Sequence, residues 1–146
     1  MYKKILIPVD GSEHSVLACE SAIAIAKGGG GGEEIVLLSC YEVRSARIGA
    51  SSAKGEIVNE LEAEGKKTLA PYELLCMKAG VNYKAMVERG KPADTIVHIA
   101  KQEDCDLIVM GSRGLGKLVG AVLGSVTTTV LKDTPVPVLV VKKKAK

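Results

Sequence analysis

The chain has 146 residues, 47% of them apolar and 25% charged, which is the balance of one soluble globular domain spanning residues 1–146 and needing no disulfide or metal staple. Phe and Trp are absent and only four Tyr occur, so the core must be aliphatic, and the interleaved aromatic and basic platform of a nucleic-acid binder is missing. The formal charge of +3 is small, and much of it lies in Lys142, Lys143, Lys144 and Lys146, a solvated tail.

Met1 to Gly11 carries two lysines and a short apolar stretch interrupted by Pro8 and Asp10, too short for the core of a secretory signal. Ile5 to Val9 is the first strand. Ser12 then caps a helix from about Glu13 to Lys27, on which Val16, Cys19, Ile23 and Ala26 form one stripe. Gly28 to Gly32 is a five-glycine turn, and Ile35 to Tyr41 is the second strand. Arg44 to Gly55 reads as a small-residue loop with room to move. A second helix fills much of Glu56 to Ala79, aligning Ile57, Leu61, Leu69, Tyr72 and Cys76, with Pro71 expected to kink or restart it.

Val81 to Val87 is the third strand, and Pro92 opens a third helix that presents Ile96, Ile99 and Ala100. Asp106 to Met110 is the fourth strand. A fourth helix runs to about Lys132; its β-branched run Val126 to Val130 is helix-poor, and it is assigned because a parallel crossover must precede the last strand, Val136 to Val141. The first, second, fourth and fifth strands are nearly continuous in hydrophobicity, as strands covered on both faces require. Alternating strands and helices with right-handed crossovers give an α/β class, a doubly wound five-stranded parallel sheet.

No segment approaches the roughly 18 consecutive apolar residues of a membrane span. Cys19, Cys40, Cys76 and Cys105 have no C-x-x-C pairing and no histidine at ligand spacing. They read as buried thiols of a reducing compartment, and a cytoplasmic location without a membrane partner is expected.

In an open parallel sheet a ligand binds beyond the carboxyl ends of the strands, where neighbouring crossovers leave on opposite faces. The loops to read are therefore Pro8 to Ser12 and Gly111 to Ser125. The second holds five glycines and is longer than the two to six residues, roughly, that a βα connection needs. Glycines let backbone N–H groups converge on phosphate oxygens, and a helix restarting near Gly124 and Ser125 adds free N–H groups, with hydroxyls on Ser125 and Thr127.

Gly111-x-x-Gly114, nine residues, then Gly124-Ser125 resembles the nucleotide-binding signature of the universal stress protein family. The opening Ile-Leu-Ile-Pro-Val-Asp-Gly-Ser and the closing Thr-Pro-Val-Pro-Val-Leu-Val-Val are also similar to that family, so the likeness covers essentially the whole chain. It implies a Rossmann-like, adenine nucleotide alpha hydrolase-like sheet of strand order 3-2-1-4-5 and membership of the ATP-binding subgroup. Residue by residue it implies that Gly111, Arg113 and Gly114 wrap the ribose and phosphates, and that Gly124, Ser125, Val126 and Thr127 receive the phosphate tail. Val9 and Asp10 would face the adenosine, with Pro8, Cys40 and Met110 as candidate walls for the adenine. Asp10 has three roles open to it: holding ribose hydroxyls, placing magnesium on the phosphates, or capping the following helix.

Gly111 to Lys117 also fits the glycine-to-lysine part of a Walker A loop, but Leu118 stands where that loop needs Ser or Thr for magnesium. Lys117 reads as a bystander, and His14 and His98 have no paired ligand spacing. No nucleophile motif occurs, so no catalytic residue is assigned. The expected function is an ATP-dependent sensor or regulator with little turnover; a weak ATPase or phosphotransferase and a dimerisation module with a vestigial site are the alternatives. Pro135 and Pro137 suit an edge strand, and the resemblance implies a homodimer formed through Val136 to Val141.

Overall fold

In the computed structural model, which describes residues 2–43, 54–113 and 123–143, strand and helix alternate along the chain. The elements are β1 (Lys4–Pro8), α1 (Glu13–Lys27), β2 (Glu34–Tyr41), α2 (Lys54–Ala79), β3 (Asn82–Arg89), α3 (Pro92–Gln102), β4 (Leu107–Gly111), α4 (Ser125–Asp133) and β5 (Val138–Val141). The strands form one sheet of order β3-β2-β1-β4-β5, every pair parallel, so the expected topology is the observed one.

The continuous hydrophobicity of the central strands follows from this. Ile5, Ile7, Ile35, Leu37, Leu107 and Val109 point to one face, where they meet Ala18, Cys19 and Ala22 of α1 and Leu69, Tyr72 and Cys76 of α2. Leu6, Val36, Leu38, Ile108 and Met110 point to the other, against Ile96, Ile99 and Ala100 of α3 and Val130 of α4. Each large aliphatic side chain so buried contributes about 1.5–3 kcal/mol of transfer free energy. A strand with only one covered face would have no use for both sets.

Three elements depart from their sequence expectation. α2 runs without interruption through Pro71. Pro71 is exposed, and so is Lys67, whose carbonyl loses its N–H partner. Water can serve that carbonyl, so the helix continues rather than restarting. The loop expected over Arg44 to Gly55 already has helix at its end, since α2 begins at Lys54; its remainder lies outside the described residues. β5 begins two residues late and is only half-buried despite its apolar run, because it forms the sheet edge and leaves Leu139 39% exposed.

α4 forms in spite of its propensity. Its threonine hydroxyls turn back onto the backbone: Thr128 donates to the Gly124 carbonyl at 3.0 Å and Thr129 to the Ser125 carbonyl at 2.9 Å. Val130 packs its other side into the core. Among the described residues no helix is long and apolar enough to cross a membrane.

Pro71 therefore weakens a helix that forms without it. Pro71→Ala should raise stability by about 1–3 kcal/mol in denaturant unfolding, and an unchanged or lowered midpoint would contradict an unbroken, solvent-facing helix at this position.

Candidate functional site

β1 and β4 are neighbours, but the chain leaves them in opposite directions, β1 into α1 on one face and β4 towards α4 on the other. Their carboxyl ends therefore border a crevice. There the structure has a cleft of about 270 Å³, near the lower end of the roughly 300–1,000 Å³ of small-molecule sites. Pro8, Val9, Asp10, Cys40, Met110, Gly111, Arg113, Gly124, Ser125, Val126 and Thr127 all line it. These residues come from four separate stretches of sequence. Gly114, the remaining site residue expected from the sequence, lies outside the described residues, as does Lys117.

The first rim is the turn after β1. The Val9 N–H donates to the Leu38 carbonyl at 2.8 Å, tying the end of β1 to β2. Asp10 Oδ1 accepts the Ser12 N–H at 2.9 Å, and Ser12 Oγ caps α1 by accepting the Ser15 N–H at 3.2 Å. The cap is thus Ser12, and Asp10 instead sets the turn before it. Gly11 holds φ +84°, a left-handed conformation that a side chain would strain.

The second rim is α4. Its first helical hydrogen bond runs from the Thr128 N–H to the Gly124 carbonyl at 3.0 Å, so the N–H groups of Ser125, Val126 and Thr127 precede the ladder. Gly124, at the N-cap, has no side chain to cap this end. The Gly124 N–H donates to the Ser112 carbonyl at 2.8 Å, which joins the helix start to the end of β4. Thr127 is buried, and its hydroxyl donates to the Gly111 carbonyl at 2.9 Å, so the hydroxyl holds the scaffold while its N–H belongs to the helix terminus. What results is a helix N-terminus with positive partial charge opening on the cleft.

Gly111 has a packing reason of its own. A Cβ there would lie 2.6 Å from the His14 Cβ and 2.9 Å from the His14 carbonyl carbon and oxygen, so β4 approaches α1 more closely than any side chain permits.

The inner wall is apolar. Met110 is buried, and burial pushes the Cys40 thiol up to about 12, with the Glu88 carboxylate adding to the shift. Cys40 is consequently a neutral, half-buried wall, while Cys19, Cys76 and Cys105 are buried in the core. Among the described residues no group of three His, Cys, Asp or Glu is placed to hold a metal ion.

Four lining residues escaped the sequence reading: Ser15, Leu38, Pro92 and Ile96. Pro92 gave a signal, since a proline in the first turn of the helix after β3 must sit at the same carboxyl end of the sheet, and Ile96 follows it by one turn. Ser15 lies three residues beyond the cap Ser12 and faces back towards it.

The universal stress protein family model matches residues 1–142. Universal stress protein MJ0531 of Methanocaldococcus jannaschii is 38% identical over 149 aligned positions, covering 100% of this chain and 85% of the relative. The solved structure of MJ0577 superposes with a TM-score of 0.90 at 36% identity, covering 100% of this chain and 99% of that one. A universal stress protein solved in complex with cAMP shares the fold, with a TM-score of 0.73 at 24% identity and 98% of each chain covered.

Gly111→Ala should destabilise the protein by about 1–3 kcal/mol through the His14 backbone contact. Urea unfolding measures it; a variant as stable as the parent would mean that β4 and α1 are not so close.

Proposed function

We propose that this chain, which belongs to the universal stress protein family, is an ATP-binding regulator whose cleft holds the nucleotide with little turnover. The observation that carries this reading is the N-terminus of α4, with a glycine at its N-cap, opening on the same cleft as Asp10 and the apolar walls of Cys40 and Met110. A triphosphate needs donors and positive potential, a ribose needs an acceptor, and a purine needs apolar walls; the lining of the cleft includes groups of all three kinds. That a protein of this fold has been solved with cAMP fits an adenine nucleotide here, though the residues of this cleft carry the case.

In this assignment Ser125, Val126 and Thr127 receive the phosphates through backbone N–H groups, with Gly124 giving them clearance. Gly111, Arg113 and Gly114 flank the ribose and phosphates. Asp10 and Val9 face the adenosine, and Pro8, Cys40 and Met110 wall the adenine. Magnesium would be held mainly by the phosphates: Asp10 is the one carboxylate among the described lining residues, and its Oδ1 already accepts the Ser12 N–H. The same economy of acid–base groups supports slow or absent turnover, because nothing else among the described lining residues is placed to activate water.

Gly124 has φ −64° and ψ 157°, a backbone that valine adopts freely, so Gly124→Val should stay folded while its side chain blocks the phosphates. The purified parent, denatured and chromatographed, should release an adenine nucleotide, and added ATP should yield negligible phosphate. Gly124→Val should bind at least tenfold more weakly by calorimetry. Rapid phosphate release would instead indicate an ATPase, and no binding by the parent a vestigial site.

We further propose a homodimer in which β5 pairs with its two-fold copy. β5 is the edge strand, and its own Leu139 leaves apolar surface exposed there. Light scattering at micromolar concentration should give twice the 15.3 kDa chain mass, and a monomer would remove this assembly.

A further inference from the structure

Tyr72 is among the largest side chains in the core, 1% exposed, yet no role in the cleft falls to it directly. It stands on α2, in the layer that covers β1 and β2, and its hydroxyl reaches the start of α1. The Gly11 N–H donates to that hydroxyl at 3.1 Å, and the hydroxyl is also hydrogen-bonded to Ser15 Oγ. Ser15 Oγ in turn donates to the Ser12 carbonyl at 3.1 Å. Each hydroxyl has one proton, so Tyr72 must be the donor in its bond to Ser15.

The bonds then run one way, from the Gly11 N–H through the Tyr72 and Ser15 hydroxyls to the Ser12 carbonyl. They begin and end on the turn that carries Asp10. Asp10 is held from both sides of this chain: its Oδ1 accepts the Ser12 N–H at 2.9 Å, and its own N–H points at Ser15 Oγ at 3.5 Å. Ser15 itself lines the cleft. A residue needed only to fill the core would not bring a hydroxyl there, since burying one costs free energy unless it is bonded.

We propose that Tyr72 is a positioning residue for the nucleotide, fixing from the α2 layer the turn that presents the Asp10 carboxylate to the cleft. This rests on the ATP-binding reading above. The next turn of the same interface supplies a control. Cys76 follows Tyr72 by four residues on α2, Cys19 follows Ser15 by four on α1, and both are fully buried.

The test uses the full chain, titrated with ATP by calorimetry, with amide exchange of Gly11 followed by NMR in the free protein. Tyr72→Phe should speed Gly11 exchange and weaken ATP about five- to tenfold. In an Asp10→Asn background the same change should weaken ATP by less than twofold, because the two act through one contact. Cys76→Ala should lower the melting temperature yet leave ATP affinity within twofold. If Tyr72→Phe does not fold, Ser15→Ala takes away the acceptor that orients the Tyr72 hydroxyl beneath the Gly11 N–H, so faster Gly11 exchange is the expected readout, with the loss of ATP affinity again non-additive with Asp10→Asn. Unchanged Gly11 exchange overturns the proposal whatever ATP does. Equal ATP affinity in parent and Tyr72→Phe, or fully additive losses with Asp10→Asn, overturns it while leaving ATP binding intact. A parent that binds no ATP overturns the functional reading, and the nucleotide role of Tyr72 with it.

Discussion

Parallel pairing of β1 with both β2 and β4 is the constraint from which the rest follows. Parallel neighbours cannot be joined by a tight turn, so the connections must cross the sheet as helices. α1 and α2 take one face and α3 and α4 the other, which buries the central strands on both sides. It also separates the exits of β1 and β4. The crevice between them is not carved by any particular side chain; it is what remains when two helices depart from adjacent strands on opposite faces.

Two sets of backbone groups border this crevice. The α4 N-terminus offers N–H groups behind an N-cap glycine, and the turn after β1 is held by hydrogen bonds of Asp10, Gly11 and Ser12. Such donors are fixed by the fold and need no side-chain ordering when a ligand arrives, which favours retention of a phosphate. They also transfer no protons. The regulator proposed above draws on that physical distinction between holding a phosphate and activating water against it.

Much of the fold could be read from the chain because burial on two faces leaves a strong trace. Ile5, Leu6 and Ile7 are apolar in succession, and both neighbouring helices need them. The glycines after β4 and the hydroxyl at Ser125 similarly pointed to one end of the sheet. What escaped was set by solvent or by distance in sequence. Pro71 gave a break signal that an exposed helix face absorbs, while β5, read as an edge strand from Pro135 and Pro137, lies at the edge but is shorter than its apolar run. Leu38 enters the cleft only because β2 runs beside the end of β1, a juxtaposition that its own segment does not encode. Thr127 read as a phosphate donor by its hydroxyl, yet that hydroxyl is committed to Gly111, leaving the N–H for the helix terminus.

The two rims of the cleft belong to different layers of the molecule. α4 rests with α3, whereas the Asp10 turn is tied through Tyr72 to α2, across the sheet. A ligand touching both rims must therefore register the position of each layer relative to the sheet. Its binding free energy would depend on how α2 sits against α1, and by linkage the seating of α2 would depend on whether the ligand is bound. Ser15 with Tyr72 is the contact through which that dependence would run: without the Tyr72 hydroxyl the Gly11 N–H loses its acceptor, and without Ser15 the Tyr72 hydroxyl loses its own, whereas the Ser12 carbonyl keeps the Val16 N–H at 3.2 Å.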